Sequence, residues 1–199
     1  MSESNARQRG RPRSFDEETA LDELTALFWQ KGYTQTSVAD LVEASGVPKP
    51  SLYRIFGSKE ELFASILRRY MATRMDMIST LVAHAGPGVD GIHTFLSLMR
   101  DDVVSGTSQN GCLLVAASAE LHGSTPGFDD FGSAYRGALR ERIYTLVERA
   151  GGADNVIDQR ADLMLTWFMG LDVTTRGAGD EAEIDRAIDA MHATVDTWR

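Results

Sequence analysis

Cysteine, proline and lysine are all scarce in this 199-residue chain: one, five and three of them respectively. The single cysteine, Cys112, has no partner for an internal disulfide, which suits a reducing compartment and leads us to expect a cytoplasmic protein. With so few prolines and an ordinary share of apolar residues, collagen-like and disordered classes drop out. No apolar run approaches the ~20 residues that a bilayer span requires, so no membrane partner is expected. The opening segment MSESNARQRGRPR is polar and basic without an apolar stretch, and does not read as a secretory signal.

The chemistry of catalysis is also thin. His84, His93, His122 and His192 are isolated, and neither H-x-x-x-H nor C-x-x-C spacing occurs, so no metal is expected. No glycine-rich phosphate loop follows a strand, and no cofactor is implied. The acid pairs Asp101-Asp102 and Asp129-Asp130 are adjacent in sequence, so on a helix they point apart and read as solvated or helix-start acids. The chain is not expected to be an enzyme.

The charges that are present are unevenly distributed. The net charge is −9, yet residues 1–70 hold ten Lys/Arg and ten Asp/Glu, while residues 71–199 hold ten arginines and nineteen acids. All three lysines, Lys31, Lys49 and Lys59, lie in the first third, and Arg7, Arg9, Arg11 and Arg13 crowd the extreme N-terminus. A basic arm on an otherwise acidic protein can neutralise phosphates locally while the remainder stays off DNA; a solvated tail has the same composition.

Helical periodicity runs through nearly the whole chain, strand alternation is missing, and the fold class is all-α. Leu21, Leu24, Leu27 and Phe28 make a stripe within Asp16–Lys31, with Ser14 and Glu17 placed as a capping box and Gly32 as the stop. A second helix spans 37–45, with Val38, Leu41 and Val42 on one face, and ends at Gly46. A third covers 48–56, where Pro48 and Pro50 fit the first turn. Ser58-Lys59-Glu60-Glu61 caps a long fourth helix running to about Val82. Further helices are expected at about 89–105, 111–121, 126–150, 156–176 and 181–198.

Three short helices with a glycine between the second and third are the parts of a helix-turn-helix. The second and third must cross steeply, which needs a residue tolerant of positive φ, and Gly46 supplies it. Leu41, Val47, Leu52 and Ile55 would anchor the pair on Leu24 and Phe28, leaving Lys49, Ser51, Tyr53 and Arg54 on the outer face, where a recognition helix meets the major groove. The run from Gly10 to Leu67 resembles the DNA-binding domain of the TetR family of repressors. The resemblance rests on F-x-x-K-G-Y-x-x-T-S at Phe28–Ser37, A-S-G-V at Ala44–Val47 and L-Y-x-x-F-x-S-K-E-x-L at Leu52–Leu62. It implies a homodimer on double-stranded operator DNA, with a reading domain at 1–60 and a helical regulatory and dimerisation domain at 61–199. It also implies phosphate contacts from Tyr53, Lys59, Thr36 and Ser37, base contacts from Lys49, Ser51 and Arg54, and minor-groove or phosphate contacts from Arg9, Arg11 and Arg13.

In the second half, Ile184, Ile188, Met191, Val195 and Trp198 recur at steps of four, three, four and three, a narrow stripe suited to a helix–helix seam. The resemblance places that seam in a four-helix interface between two copies; a last helix also has core of its own to cover. Members of the family enclose a small-molecule pocket, for which Phe95, Met99, Cys112, Phe128, Phe131, Tyr135 and Trp167 are the candidates, although such a set also suits plain core. Cys112 stands at the start of a helix, where free N–H groups would favour a thiolate, and its Gly-Cys-Leu setting resembles an electrophile-responsive branch of the family. It is either a sensor of electrophiles or oxidants or a small core residue. The implied function is a ligand-responsive regulator; an architectural or adaptor protein on the same scaffold is the alternative.

Overall fold

The structure is a computed structural model that describes residues 16–105, 111–121, 128–176 and 180–199. Among the described residues every regular element is an α-helix, in the order α1 (Glu17–Lys31), α2 (Val38–Ser45), α3 (Lys49–Phe56), α4 (Lys59–His84), α5 (Gly88–Val104), α6 (Leu113–Leu121), α7 (Phe128–Glu148), α8 (Asp154–Arg176) and α9 (Glu181–Asp196). The all-α expectation holds, with helix ends within a few residues of those read from periodicity.

Local chemistry sets the first boundaries. Asp16, not Ser14, caps α1: its carboxylate accepts the Glu18 N–H at 3.1 Å, whereas Ser14 lies outside the described residues. Ser37 and Asp40 form a reciprocal capping box on α2, and Ser58 and Glu61 form another on α4. Between α2 and α3, Gly46 takes φ 63, ψ 7, the left-handed conformation that lets the chain reverse without a Cβ penalty. Leu24, Phe28, Leu41, Val47 and Leu52 meet at that crossing and are essentially sealed from solvent. Ile55 and Phe56 are both half-buried, and of the two it is Phe56 that packs against this core.

The 26-residue α4 is roughly 39 Å long at 1.5 Å per residue. Its first turns bury Leu62, Phe63, Ile66 and Leu67 under α1 and α3, and its later turns bury Met75, Ile78 and Val82 among the C-terminal helices. One apolar cluster therefore runs continuously from Ala20 to Val195. Arg149 Nη1 donates to the Val82 carbonyl at 2.7 Å and so satisfies one of the open acceptors ending α4. α9 closes the bundle against α5 and α8, with Arg100 of α5 bridging to Asp185 (2.8 Å) and Glu181 (2.7 Å).

That packing overturns the expected role of the last helix's stripe. Ile184, Ile188, Met191 and Val195 are buried within the chain itself, at 6% exposure or less, and Trp198 packs against the same core beneath the Arg160 guanidinium, 5.0 Å away. A narrow a/d stripe fits any helix–helix seam, and here the partner is α5 of the same chain.

Candidate nucleic-acid interface

The outward side of α3 carries Lys49, Tyr53 and Arg54, all exposed, with Ser51 half-buried between them. Lys49 Nζ lies 5.9 Å from the centroid of the Tyr53 ring one turn along, so cation and aromatic are held together on one face. Tyr53 is 39% exposed, one of three large apolar or aromatic side chains turned to solvent among the described residues. Buried Leu52 anchors the opposite face. The helix is thus fixed from behind and presents donors in front.

Lys59 opens α4 beside its free N–H groups, but its ammonium sits 4.3 Å from the centre of the Tyr33 ring and is half-buried. Desolvation pushes the Lys59 amine below its ordinary value, partly offset by Glu120 and Asp40. Thr36 and Ser37 depart from expectation. Thr36 is 1% exposed and its hydroxyl donates to the Gly32 carbonyl at 2.6 Å, so its side chain closes the turn instead of facing outward. Both Ser37 donors, N–H and O–H, go to Asp40 Oδ2 at 2.7 Å. Asp40 also receives Lys31 at 2.7 Å, and hydrogen bonds from Lys31 and Ser37 hold its carboxyl far below the ordinary value. Thr36 is thereby turned from the surface, while Ser37 stays exposed with its donors engaged by Asp40. Arg9, Arg11 and Arg13 lie outside the described residues.

In the C-terminal half, Phe95, Met99, Phe128 and Tyr135 are packed core, and Phe131 packs against the same cluster. Trp167 is half-buried, its indole N–H donating to the Ala187 carbonyl at 3.2 Å. Of the seven expected pocket residues, Cys112 lines a cleft of about 500 Å³ between the α1–α2 turn, α6 and α8. The other six interdigitate with one another and their neighbours, as Met and aromatic stripes do in close-packed interiors.

Cys112 immediately precedes α6 and is 1% exposed. Burial, reinforced by the nearby Asp172 carboxylate, pushes its thiol up, against smaller opposing contributions from Val115, Tyr135 and Arg74. The helix-start N–H groups do not make it a thiolate. Around it lies a buried polar cluster: Arg74 Nη1 meets Asp102 at 3.2 Å, Arg74 Nη2 meets Asp172 at 3.4 Å, and the Tyr135 hydroxyl donates to Asp172 at 3.3 Å. Burial raises the Asp172 carboxyl to about 6 despite Arg74 and Tyr135. Sequence reasoning missed this cluster, because its members are dozens of residues apart. It also missed Glu120, which reaches from α6 to the α1–α2 turn. Among the described residues there is no group of three or more potential metal ligands, and no helix is long and apolar enough to cross a membrane.

Comparison with known proteins points the same way as the α3 surface. The profile of bacterial regulatory proteins of the tetR family matches residues 20–66. The repressor ComR of Escherichia coli K12 is 54% identical over 65 residues, 33% of this chain but only 31% of that repressor's length. BdcR, another HTH-type transcriptional repressor of that strain, is 28% identical over 180 residues, covering 88% of this chain and 87% of BdcR. Among solved structures, a cysteine mutant of the TetR family transcriptional regulator CifR complexed with 26-base-pair operator DNA superimposes with a TM-score of 0.75. It is 31% identical, over 90% of this chain and 99% of that one.

Proposed function

The chain belongs to the TetR family of bacterial regulatory proteins, and from that premise we propose that it is a homodimeric, sequence-specific repressor of transcription. It binds a pseudo-palindromic operator as two α3 helices in successive major grooves, and a small-molecule, electrophile or oxidant signal releases it. The observation that carries this reading is the α3 face, where Lys49, Tyr53 and Arg54 stand exposed over a sealed helix-turn-helix core. Residues 1–60 are the reading domain and residues 61–199 the regulatory and dimerisation half. The protein works in the cytoplasm by binding, not by catalysis.

Within the reading domain, Tyr53 and Lys59 hold phosphate oxygens, while Lys49, Ser51 and Arg54 address base edges. Arg9, Arg11 and Arg13 extend the contact along the duplex. The second copy docks on the outward side of α8, where Leu163 (46% exposed), Gly170 and Val173 (61% exposed) fall at steps of seven and three on one helical face. Cys112 serves as the reactive point of the regulatory half once an electrophile enters the neighbouring cleft, since a buried protonated thiol reacts only when access opens.

The test is binding of the purified protein to duplexes selected from a random-sequence pool, across a salt series. Specific binding by a dimer, steeply weakened by salt, is expected. Tyr53→Ala should weaken binding to every sequence and reduce the salt slope by about one. Arg54→Ala should instead relax preference at one or two positions, by about 1–3 kcal/mol for a bidentate contact. A folded dimer that selects no sequence would overturn the repressor reading in favour of an adaptor.

A further inference from the structure

The turn that sets the angle of α2 and α3 is held by a side chain from the other half of the protein. Glu120, near the end of α6, accepts the Tyr33 N–H at 3.0 Å and the Thr34 N–H at 2.6 Å, one on each carboxylate oxygen. The turn admits the carboxylate because residue 32 is glycine. Gly32 takes φ 79, and a Cβ there would stand 2.8 Å from Glu120 Oε2. Partial burial pushes the Glu120 carboxyl up, but hydrogen bonds from Thr34 and Tyr33, with Arg176 nearby, outweigh it and hold the group ionised below its ordinary value. Tyr33 is gripped from its other side as well. Its ring centre lies 5.0 Å from that of Phe63 on α4 and 6.0 Å from that of Phe128 on α7, with the Lys59 ammonium over its face.

Glu120 does not stand alone on its helix. Cys112, Val115, Ala116, Ala119 and Glu120 recur at steps of three, one, three and one, which is one side of a helix, and together they form a wall of the 500 Å³ cleft. Cys112 begins that wall and Glu120 ends it, about 12 Å apart at 1.5 Å per residue. The facing wall includes Lys31, Gly32 and Gln35 of the turn itself. The latch carboxylate is thus part of the cleft wall, and parting α6 from the turn would open the two together. Hydrogen bonds of 2.6 and 3.0 Å are lost after a displacement of roughly 1 Å.

We propose that Glu120 is a positioning residue for operator binding. It latches the α1–α2 turn to α6 and sets the pitch of the reading domain against the regulatory half, so that both heads of the dimer meet their half-sites together. The proposal rests on the dimeric DNA-binding reading above. It separates two properties: a single head's grip on a half-site, which comes from α3, and the simultaneous fit of two heads, which needs the latch.

The experiment uses full-length Glu120→Ala and Glu120→Gln with two probes: a duplex selected from a random pool by the parent protein, and the same duplex with one half-site scrambled. Glu120→Ala should lower affinity for the intact duplex by about tenfold, within the usual range of coupling between sites, and leave the scrambled duplex within about twofold. Glu120→Gln should fall between, because its amide keeps one acceptor oxygen where the carboxylate had two. Equal losses on both duplexes would mean general damage to the head and would overturn the proposal, as would no loss on either. If the parent itself selects no duplex, the DNA-binding reading has failed, and amide hydrogen exchange then judges the latch. Faster exchange at Tyr33 and Thr34 in Glu120→Ala, with α1 still protected, supports it; unchanged exchange there overturns it.

Discussion

The N-terminal helices and the C-terminal half hold their acids in opposite ways. In the first, Asp40 and Glu61 sit at exposed helix starts, where hydrogen bonds from Lys31 and Ser37 to the one, and from Ser58 to the other, hold the carboxyls below their ordinary values. In the second, Asp172 is 5% exposed, and burial raises its carboxyl to about 6 although Arg74 and Tyr135 both favour the charge. The caps stabilise charge in water with donors a few residues away. The core tolerates charge only because a second charge was buried with it. One region gains from its carboxylates, and the other depends on a pair it cannot split.

The largest test of that contrast is to split the pair. Asp172→Ala leaves the Arg74 guanidinium, itself 5% exposed, with the Asp102 contact but without its deepest partner. We expect a loss of about 3–5 kcal/mol in unfolding free energy, measured by chemical denaturation. A loss under about 1 kcal/mol would show that water reaches the cluster and that the two regions differ less than their burial suggests.

The second test uses pH. The folded Asp172 carboxyl titrates above its ordinary value of 3.8, so the folded state binds the extra proton. The stability this group contributes is complete below the unfolded value and is lost as pH rises through about 6. Asp40 and Glu61 have the reverse sign: their contribution is present above the ordinary carboxylate range and is lost as pH falls. Subtracting the unfolding free energy of Asp172→Asn from that of the parent should leave a difference that declines from about pH 4 to about pH 6. A flat difference would place the Asp172 carboxyl in the ordinary range.

The smallest effect belongs to the caps. Ser58→Ala removes the acceptor for the Glu61 N–H, 3.1 Å away, and should cost about 1 kcal/mol in thermal or chemical unfolding. The change should be independent of Asp172→Asn, and the double variant should be additive to about 0.5 kcal/mol. Coupling well beyond that would mean that the two regions communicate through the shared apolar core.

The exposed face of α3 is legible in the sequence, and the packing of the C-terminal half largely is not. The α3 face could be read because period, glycine and capping signals all operate within about four residues, and the structure puts Lys49, Tyr53 and Arg54 where that reading put them. The Thr36 and Ser37 hydroxyls are ambiguous in the sequence, because a hydroxyl beside a helix start can cap the backbone or face a ligand; in the folded chain they bond to Gly32 and Asp40. The pocket set was misjudged because a stripe of Phe, Met and Tyr looks the same whether its members line a space or fill it.

Short-range signals in the sequence suffice for the helices, their ends to within a few residues, the left-handed reversal at Gly46 and the family to which the chain belongs. These follow from hydrogen bonds and steric limits spanning a few residues, which any window of the chain displays. Tertiary structure alone decided three things. It turned the α9 stripe inward against α5, paired Arg74 with Asp172 across 98 positions, and brought Glu120 to the backbone of Tyr33 and Thr34. Each depends on which helix faces which, and that was settled when the whole apolar surface found its partners at once.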